Sequence, residues 1–151
     1  MPVAIFRDAD WLLSEEAFSL YAPCMYRPVY EDYRARMEGF LTDPSVKVFV
    51  CEDQGRKTGM MVLKYDGTDA EIIGIAVSEA SRRRGMGRKL IQNALGSGDL
   101  ERIKAETDGE SIGFYRKCGF EEERRVIKYP DGPAVRYACV LGNRRPPACR
   151  V

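Results

Sequence analysis

The stretch Arg82-Arg83-Arg84-Gly85-Met86-Gly87 is where residue type and spacing first point to chemistry. It lies between Ala70 to Ser78, a run with the pattern of a buried strand, and Arg88 to Leu95, a run with the pattern of a helix. An Arg-x-x-Gly-x-Gly turn from strand to helix presents outward backbone N–H groups, that of Met86 among them, at the positive end of the helix dipole. Glycine at 85 and 87 keeps Cβ atoms out of the approach, and Arg82, Arg83, Arg84 and Arg88 add charge-assisted bonds around it. The implied chemistry is a seat for a pyrophosphate. The turn lacks the Gly-Lys-Ser/Thr ending of a nucleotide-hydrolysing loop and the third glycine of a dinucleotide fingerprint. Lys89 has the ordinary pattern of a solvated helix residue.

No histidine occurs in the chain, which removes Ser/His/Asp hydrolase, Cys/His transferase and His-Glu-x-x-His metal chemistry. Acid–base work falls to Glu, Asp, Tyr, Lys or Cys. The Asp and Glu positions have no ligand-like spacing, so no metal site is expected. The five cysteines are scattered, with no Cys-x-x-Cys pair, and read as free thiols. Cys51, Cys118 and Cys139 sit in apolar patterns, as small buried residues do.

A second marked segment follows the glycine turn: Glu106-Thr107-Asp108, then Ser111-Ile112-Gly113-Phe114-Tyr115-Arg116-Lys117-Cys118-Gly119-Phe120. It has the pattern of a strand end, a helix and a glycine C-cap. Together the two segments resemble the GCN5-related N-acetyltransferase (GNAT) family. Arg82, Gly85 and Gly87 fall on the defining positions of its acyl-coenzyme A pyrophosphate loop, and the second segment matches the Phe-Tyr-x-Lys-x-Gly-Phe run that closes its fold. The likeness extends from Val46 to Leu141. One departure is visible: Asp108 stands where many relatives carry Asn.

The resemblance implies an acetyl-coenzyme A-dependent transfer of an acetyl group to a primary amine, without a covalent enzyme intermediate. It places the thioester against Ile75-Ala76-Val77, whose backbone N–H groups would bind the pantetheine arm. It makes Tyr115 the candidate acid beside the departing sulfur. An ordinary phenol donating to a thiol-like leaving group is uphill by about 2 kcal/mol, so Tyr115 is expected to act late or as a hydrogen-bond donor. Glu71 matches the position of a catalytic glutamate in the histone-acetylating branch, and desolvation in an apolar strand would make it a better base. Solvation at the strand start is the competing expectation. Asp108 is a further candidate cofactor contact.

The acceptor is not named by these residues. Tyr26, Tyr30, Tyr33 and Met37 recur at helical spacing, a pattern more often of core packing than of a binding wall. Glu31, Asp32 and Glu38 would either attract a cationic amine or form a solvated face. Two other readings compete with the transferase: an acyl-coenzyme A sensor without catalysis, and a small RNA-binding domain built on the arginine cluster. That cluster is narrow and lacks interleaved aromatic positions, so no nucleic acid partner is expected.

The elements that must position these residues follow from the patterning. Strands are predicted at Val3 to Arg7, Val46 to Glu52, Thr58 to Tyr65, Ala70 to Ser78, Arg102 to Thr107, Glu123 to Tyr129 and Val135 to Leu141, the last two a hairpin across Pro130-Asp131-Gly132-Pro133. Ser14, with Glu15 and Glu16 after it, marks a helix N-terminus, and Pro28 suits the first turn of a helix running towards Phe40. The expected class is α+β, a mixed, mostly antiparallel twisted sheet of the GNAT type flanked by about four helices. At 151 residues the chain suits one domain, 1–141, with a loose tail over 142–151. Its 24 basic and 23 acidic residues give no overall pull towards nucleic acid or membranes. No apolar run approaches the roughly 18 residues of a spanning helix, and the N-terminus lacks a leader pattern, so the expected compartment is the cytoplasm. A homodimer through the late strands, Glu123 to Leu141, is a family-like option.

Overall fold

The computed structural model of the chain describes residues 3–97 and 100–142. Its elements run β1 (Val3–Ile5), α1 (Ala9–Leu12), α2 (Glu15–Tyr21), α3 (Tyr30–Thr42), β2 (Val46–Asp53), β3 (Arg56–Asp66), β4 (Asp69–Val77), α4 (Met86–Gly96), β5 (Arg102–Thr107), α5 (Ile112–Lys117), β6 (Glu121–Tyr129) and β7 (Gly132–Gly142). Two short 3-10 turns, Ala22–Cys24 and Glu79–Ser81, complete the list. The seven strands form one sheet in the order β1-β2-β3-β4-β5-β7-β6. All neighbours are antiparallel except β4 and β5. This is the expected α+β class.

Two apolar layers hold the helices to the sheet. On the front, Leu12, Ala17, Tyr21, Tyr33 and Met37 from α1 to α3 pack on Val48, Val50, Met60 and Val62. On the back, Leu90, Ile91 and Ala94 of α4 and Ile112 and Tyr115 of α5 pack on Phe49, Met61, Leu63 and Ile103. Alternation along β2 and β3 sends successive side chains to opposite layers. The central strand β3 is therefore buried continuously from Thr58 to Leu63, as a strand covered on both faces must be. In α4 the buried positions Met86, Gly87, Leu90, Ile91 and Ala94 form one stripe at helical spacing. The far edge strand β6 is almost wholly exposed.

Local signals explain most boundaries. Ser14 caps α2, its hydroxyl accepting from the Ala17 N–H at 3.2 Å. The short helix α1 was not foreseen in the patterning; Asp8 caps it by accepting from the N–H groups of Asp10 and Trp11. Pro28 lies just ahead of α3 and not in its first turn, because Arg27 takes a left-handed φ of 49° and Val29 is the N-cap. The late hairpin turns more tightly than expected, with Tyr129 opposite Gly132 and Pro133 already inside β7. Gly142 ends β7; the rest of the expected tail lies outside the described residues. Among the described residues no helix is long and apolar enough to cross a membrane.

Candidate active site

The parallel pairing of β4 with β5 stops early. It joins Asp69 to Arg102, Ala70 to Ile103 and Glu71 to Lys104, after which β5 continues beside β7 alone. A gap therefore opens along the second half of β4. On its other edge β4 stays paired with β3 as far as Val77 opposite Gly59, with Ile73 as an extra residue where the register shifts. The Ser78 N–H donates to the Thr58 carbonyl at 2.8 Å. In an antiparallel ladder bonded and non-bonded pairs alternate, so Ala76 bonds towards β3 while Ile75 and Val77 turn their backbone groups into the gap. Their carbonyls are occupied there: Ile75 accepts from the Cys24 thiol at 3.2 Å and Val77 from Arg82 Nε at 3.4 Å. Their two N–H groups face the opening. Of the three residues Ile75, Ala76 and Val77, the first and last thus offer donors and Ala76 does not.

The glycine turn continues from this edge. Arg83 and Gly85 both take left-handed conformations, φ 68° and 73°, which reverse the chain into α4. No side chain caps the helix, and no described backbone carbonyl takes the N–H groups of Met86, Gly87 or Arg88. Those three amides are the unfilled donors of a helix start. Arg82, Arg83, Arg84 and Arg88 are exposed around them, with Arg84 drawn aside to Asp53 at 3.7 Å. A Cβ at Gly85 would meet nothing, whereas a Cβ at Gly87 would stand 2.8 and 2.9 Å from two ring atoms of Phe114. Gly85 serves the backbone turn. Gly87 is glycine for a different reason than the sequence suggests: it makes room for an aromatic ring of α5.

Phe114 in turn supports Tyr115. The Tyr115 ring meets Phe114 edge-on at 5.1 Å and Phe120 at 5.2 Å. Burial, helped by the nearby Cys24, Cys139, Cys118 and Asp108, pushes its hydroxyl well above the ordinary phenol range. That hydroxyl has no partner among the described residues, so it does not cap a neighbour. Burial also lifts the Cys24 thiol, to about 11, against the opposing effect of its bond to Ile75.

Other candidates stand elsewhere. Glu71 is exposed on the paired half of β4, with Lys64 opposite on β3 and Lys104 opposite on β5; the burial on which a base role depended is absent. Asp108 turns one carboxylate oxygen, Oδ1, to its own turn, accepting from the N–H groups of Glu110 and Ser111 at 3.0 Å each. Tyr33 and Met37 are core residues, and Tyr30 and Tyr33 give their hydroxyls to the carbonyls of Leu13 and Leu12. Tyr26 falls outside α3 and is 83% exposed. Glu38 pairs with Arg34 at the surface. The sequence did not point to Tyr21 or Cys24, which the structure brings to the gap; a glycine inside the β4 pattern, Gly74, was the available sign of a close approach there.

Residues 44–122 match the family model described as the acetyltransferase (GNAT) domain. The match spans more than half of the chain, which therefore belongs to the GNAT family. Solved structures share the fold at low identity. A spermidine N-acetyltransferase chimera from Vibrio cholerae and a second enzyme superposes with a TM-score of 0.73 at 18% identity, covering 95% of this chain and 96% of that one. The aminoglycoside 6'-N-acetyltransferase from Enterococcus faecium gives 0.77 at 15%, covering 97% and 99%. Another aminoglycoside 6'-N-acetyltransferase, solved with coenzyme A, gives 0.75 at 14%, covering 97% and 99%. No curated protein sequence matches the chain.

Proposed function

We propose that this GNAT domain is an acetyl-coenzyme A-dependent N-acetyltransferase that acetylates a primary amine by direct transfer. The observation that carries this is the continuous line of unfilled backbone donors, Ile75 and Val77 on the open edge of β4 and then Met86, Gly87 and Arg88 at the start of α4. Such a line suits an extended ligand with an amide-bearing arm at one end and phosphates at the other. The left-handed Gly85, where an added Cβ would project into open space, fits a backbone built for close approach. When bound, the acyl thioester supplies an activated carbonyl and a thiol leaving group.

The chain's own residues then divide the work. Ile75 and Val77 hold the arm and orient the carbonyl through their N–H groups. Arg82, Arg83 and Arg88 neutralise phosphate charge, with Arg84 held back by Asp53. Tyr115 stays protonated and serves the departing sulfur as a hydrogen-bond donor. Cys24, with its thiol held protonated and no histidine beside it, is not an activated nucleophile, which supports direct transfer. Water, and not Glu71, takes the amine proton in this scheme. Residues 1–141 act as one domain, and the exposed strand β6 is the surface on which two copies would pair.

The test is chromatographic detection of free coenzyme A and acetylated product after incubation with acetyl-coenzyme A and an amine panel. The panel holds polyamines and aminoglycosides, the acceptors named for two structural neighbours, with amino acids and peptides. Product above the enzyme-free control is the expected result. Cofactor binding by calorimetry without product would favour an acyl-coenzyme A sensor, and no binding would overturn the assignment of the glycine turn.

A further inference from the structure

The front of the open edge carries protic groups that the reaction above leaves unused. Tyr21 ends α2, and the turn Ala22–Cys24 then leads the chain against β4. Tyr21 is 2% exposed, its ring tilted on Tyr33 at 5.8 Å. Its hydroxyl lies directly on the backbone of Gly74, where a Cβ would overlap it. Glycine inside a strand weakens the strand, and here that weakness is what admits a phenol oxygen to the sheet surface. No described residue hydrogen-bonds this hydroxyl.

Two further groups converge on the same place. Cys24 donates to the Ile75 carbonyl, one residue along β4 from Gly74. Tyr115 reaches the gap from the back, 7% exposed, also without a partner, and close enough for Cys24 to act on it electrostatically, as Cys24 does on Tyr21. The two hydroxyls belong to opposite layers of the sheet, Tyr21 to the front and Tyr115 to the back, with the Cys24 thiol on the Ile75 carbonyl.

We propose that Tyr21 is a positioning residue for the acceptor, its hydroxyl receiving an N–H of the incoming amine above Gly74 while Tyr115 attends the sulfur from the opposite face. This rests on the transferase reading.

Two measurements test this and separate it from the transferase reading. In the first, iodoacetamide labelling of Cys24 is followed by peptide mass spectrometry, with acetyl-coenzyme A binding checked by calorimetry. At ten times the dissociation constant the ligand should slow Cys24 labelling by about tenfold. Unchanged labelling with binding confirmed would overturn the placement of Tyr21 and Cys24 while leaving the cofactor assignment intact; no binding would remove both. In the second, Tyr21→Phe should raise the acceptor KM about tenfold, the worth of one hydrogen bond, with kcat and acetyl-coenzyme A affinity unchanged. Gly74→Ala, which displaces the hydroxyl but retains it, should show the same KM defect. An acceptor KM at the wild-type value in Tyr21→Phe would overturn the proposal.

Discussion

The two halves of β4 differ in their letters and in what they present: Asp69-Ala70-Glu71 carries two carboxylates, Ile75-Ala76-Val77 only aliphatic side chains. From Asp69 to Glu71 the strand is paired on both edges, and its outward side chains join a ladder of charges: Asp69 bonds Arg102 and Lys104 at 3.1 and 3.2 Å, and Glu71 lies between Lys64 and Lys104. From Ile75 to Val77 one edge is unpaired, and the outward groups are amides. In the first half side chains hold charge at the surface, where such pairs contribute at most about 1 kcal/mol each. In the second half the edge presents main chain instead. In the proposed function a missing partner strand, and not a particular side chain, is what makes this strand a site.

The comparison is broken or sharpened by four substitutions. The largest effect is expected at Gly85→Asp, just past the open half. Asp is one of the few residues to visit the left-handed conformation and its Cβ would meet nothing, so the cost to the fold is local strain, whereas a like charge against phosphates costs several kcal/mol. Acetyl-coenzyme A affinity should fall about 1000-fold or more by calorimetry; a normal affinity would move the phosphate seat elsewhere.

Next comes Tyr115→Phe, which keeps the aromatic stack and deletes only the unpartnered hydroxyl. Steady-state kinetics should show kcat lower by about 100-fold, the low end for losing one hydrogen-bond donor to a developing charge, with cofactor affinity unchanged. Equal values in mutant and wild type would leave the leaving group to solvent.

Gly87→Ala tests the packing role against the phosphate role. Its Cβ would press on Phe114, so urea unfolding should show a loss of about 1–3 kcal/mol, the usual range for overpacking. A change confined to cofactor affinity, with stability intact, would restore the phosphate explanation. The smallest effect belongs to the paired half: Glu71→Gln should alter turnover by less than about twofold, as exposed charges do, with superimposable rate–pH profiles. A profile displaced to higher pH would return Glu71 to the role of base.

What the sequence shows depends on whether the cause is a side chain or the absence of a neighbour. Ser14 as a cap, the alternation of β2 and β3, the stripe of α4 and the arginine-glycine turn are local patterns, and each is found where expected. The same letters misplace what depends on distant partners. Gly87 looks like its neighbour Gly85 until Phe114, far along the chain, is seen to occupy the space beside it. Nothing in the type of Asp108 reveals that one of its carboxylate oxygens is taken by its own turn. Tyr26 continues the spacing of Tyr30 and Tyr33 but lies before the break at Arg27. The N–H groups of Ile75 and Val77 have no letter at all, since every residue but proline carries one; the GNAT resemblance supplied them, and strand register explains them.

The contact between Gly87 and Phe114 binds the phosphate turn to the helix that carries Tyr115. Two segments far apart in the chain are thus a single unit for inheritance: a larger residue at 87 is admissible only with a smaller one at 114, and that exchange would loosen the ring packed on Tyr115. In the proposed transferase, changes that tune cofactor grip through this turn would therefore also move Tyr115. The front of the sheet is tied in the same way, since a Cβ at Gly74 would overlap the Tyr21 hydroxyl.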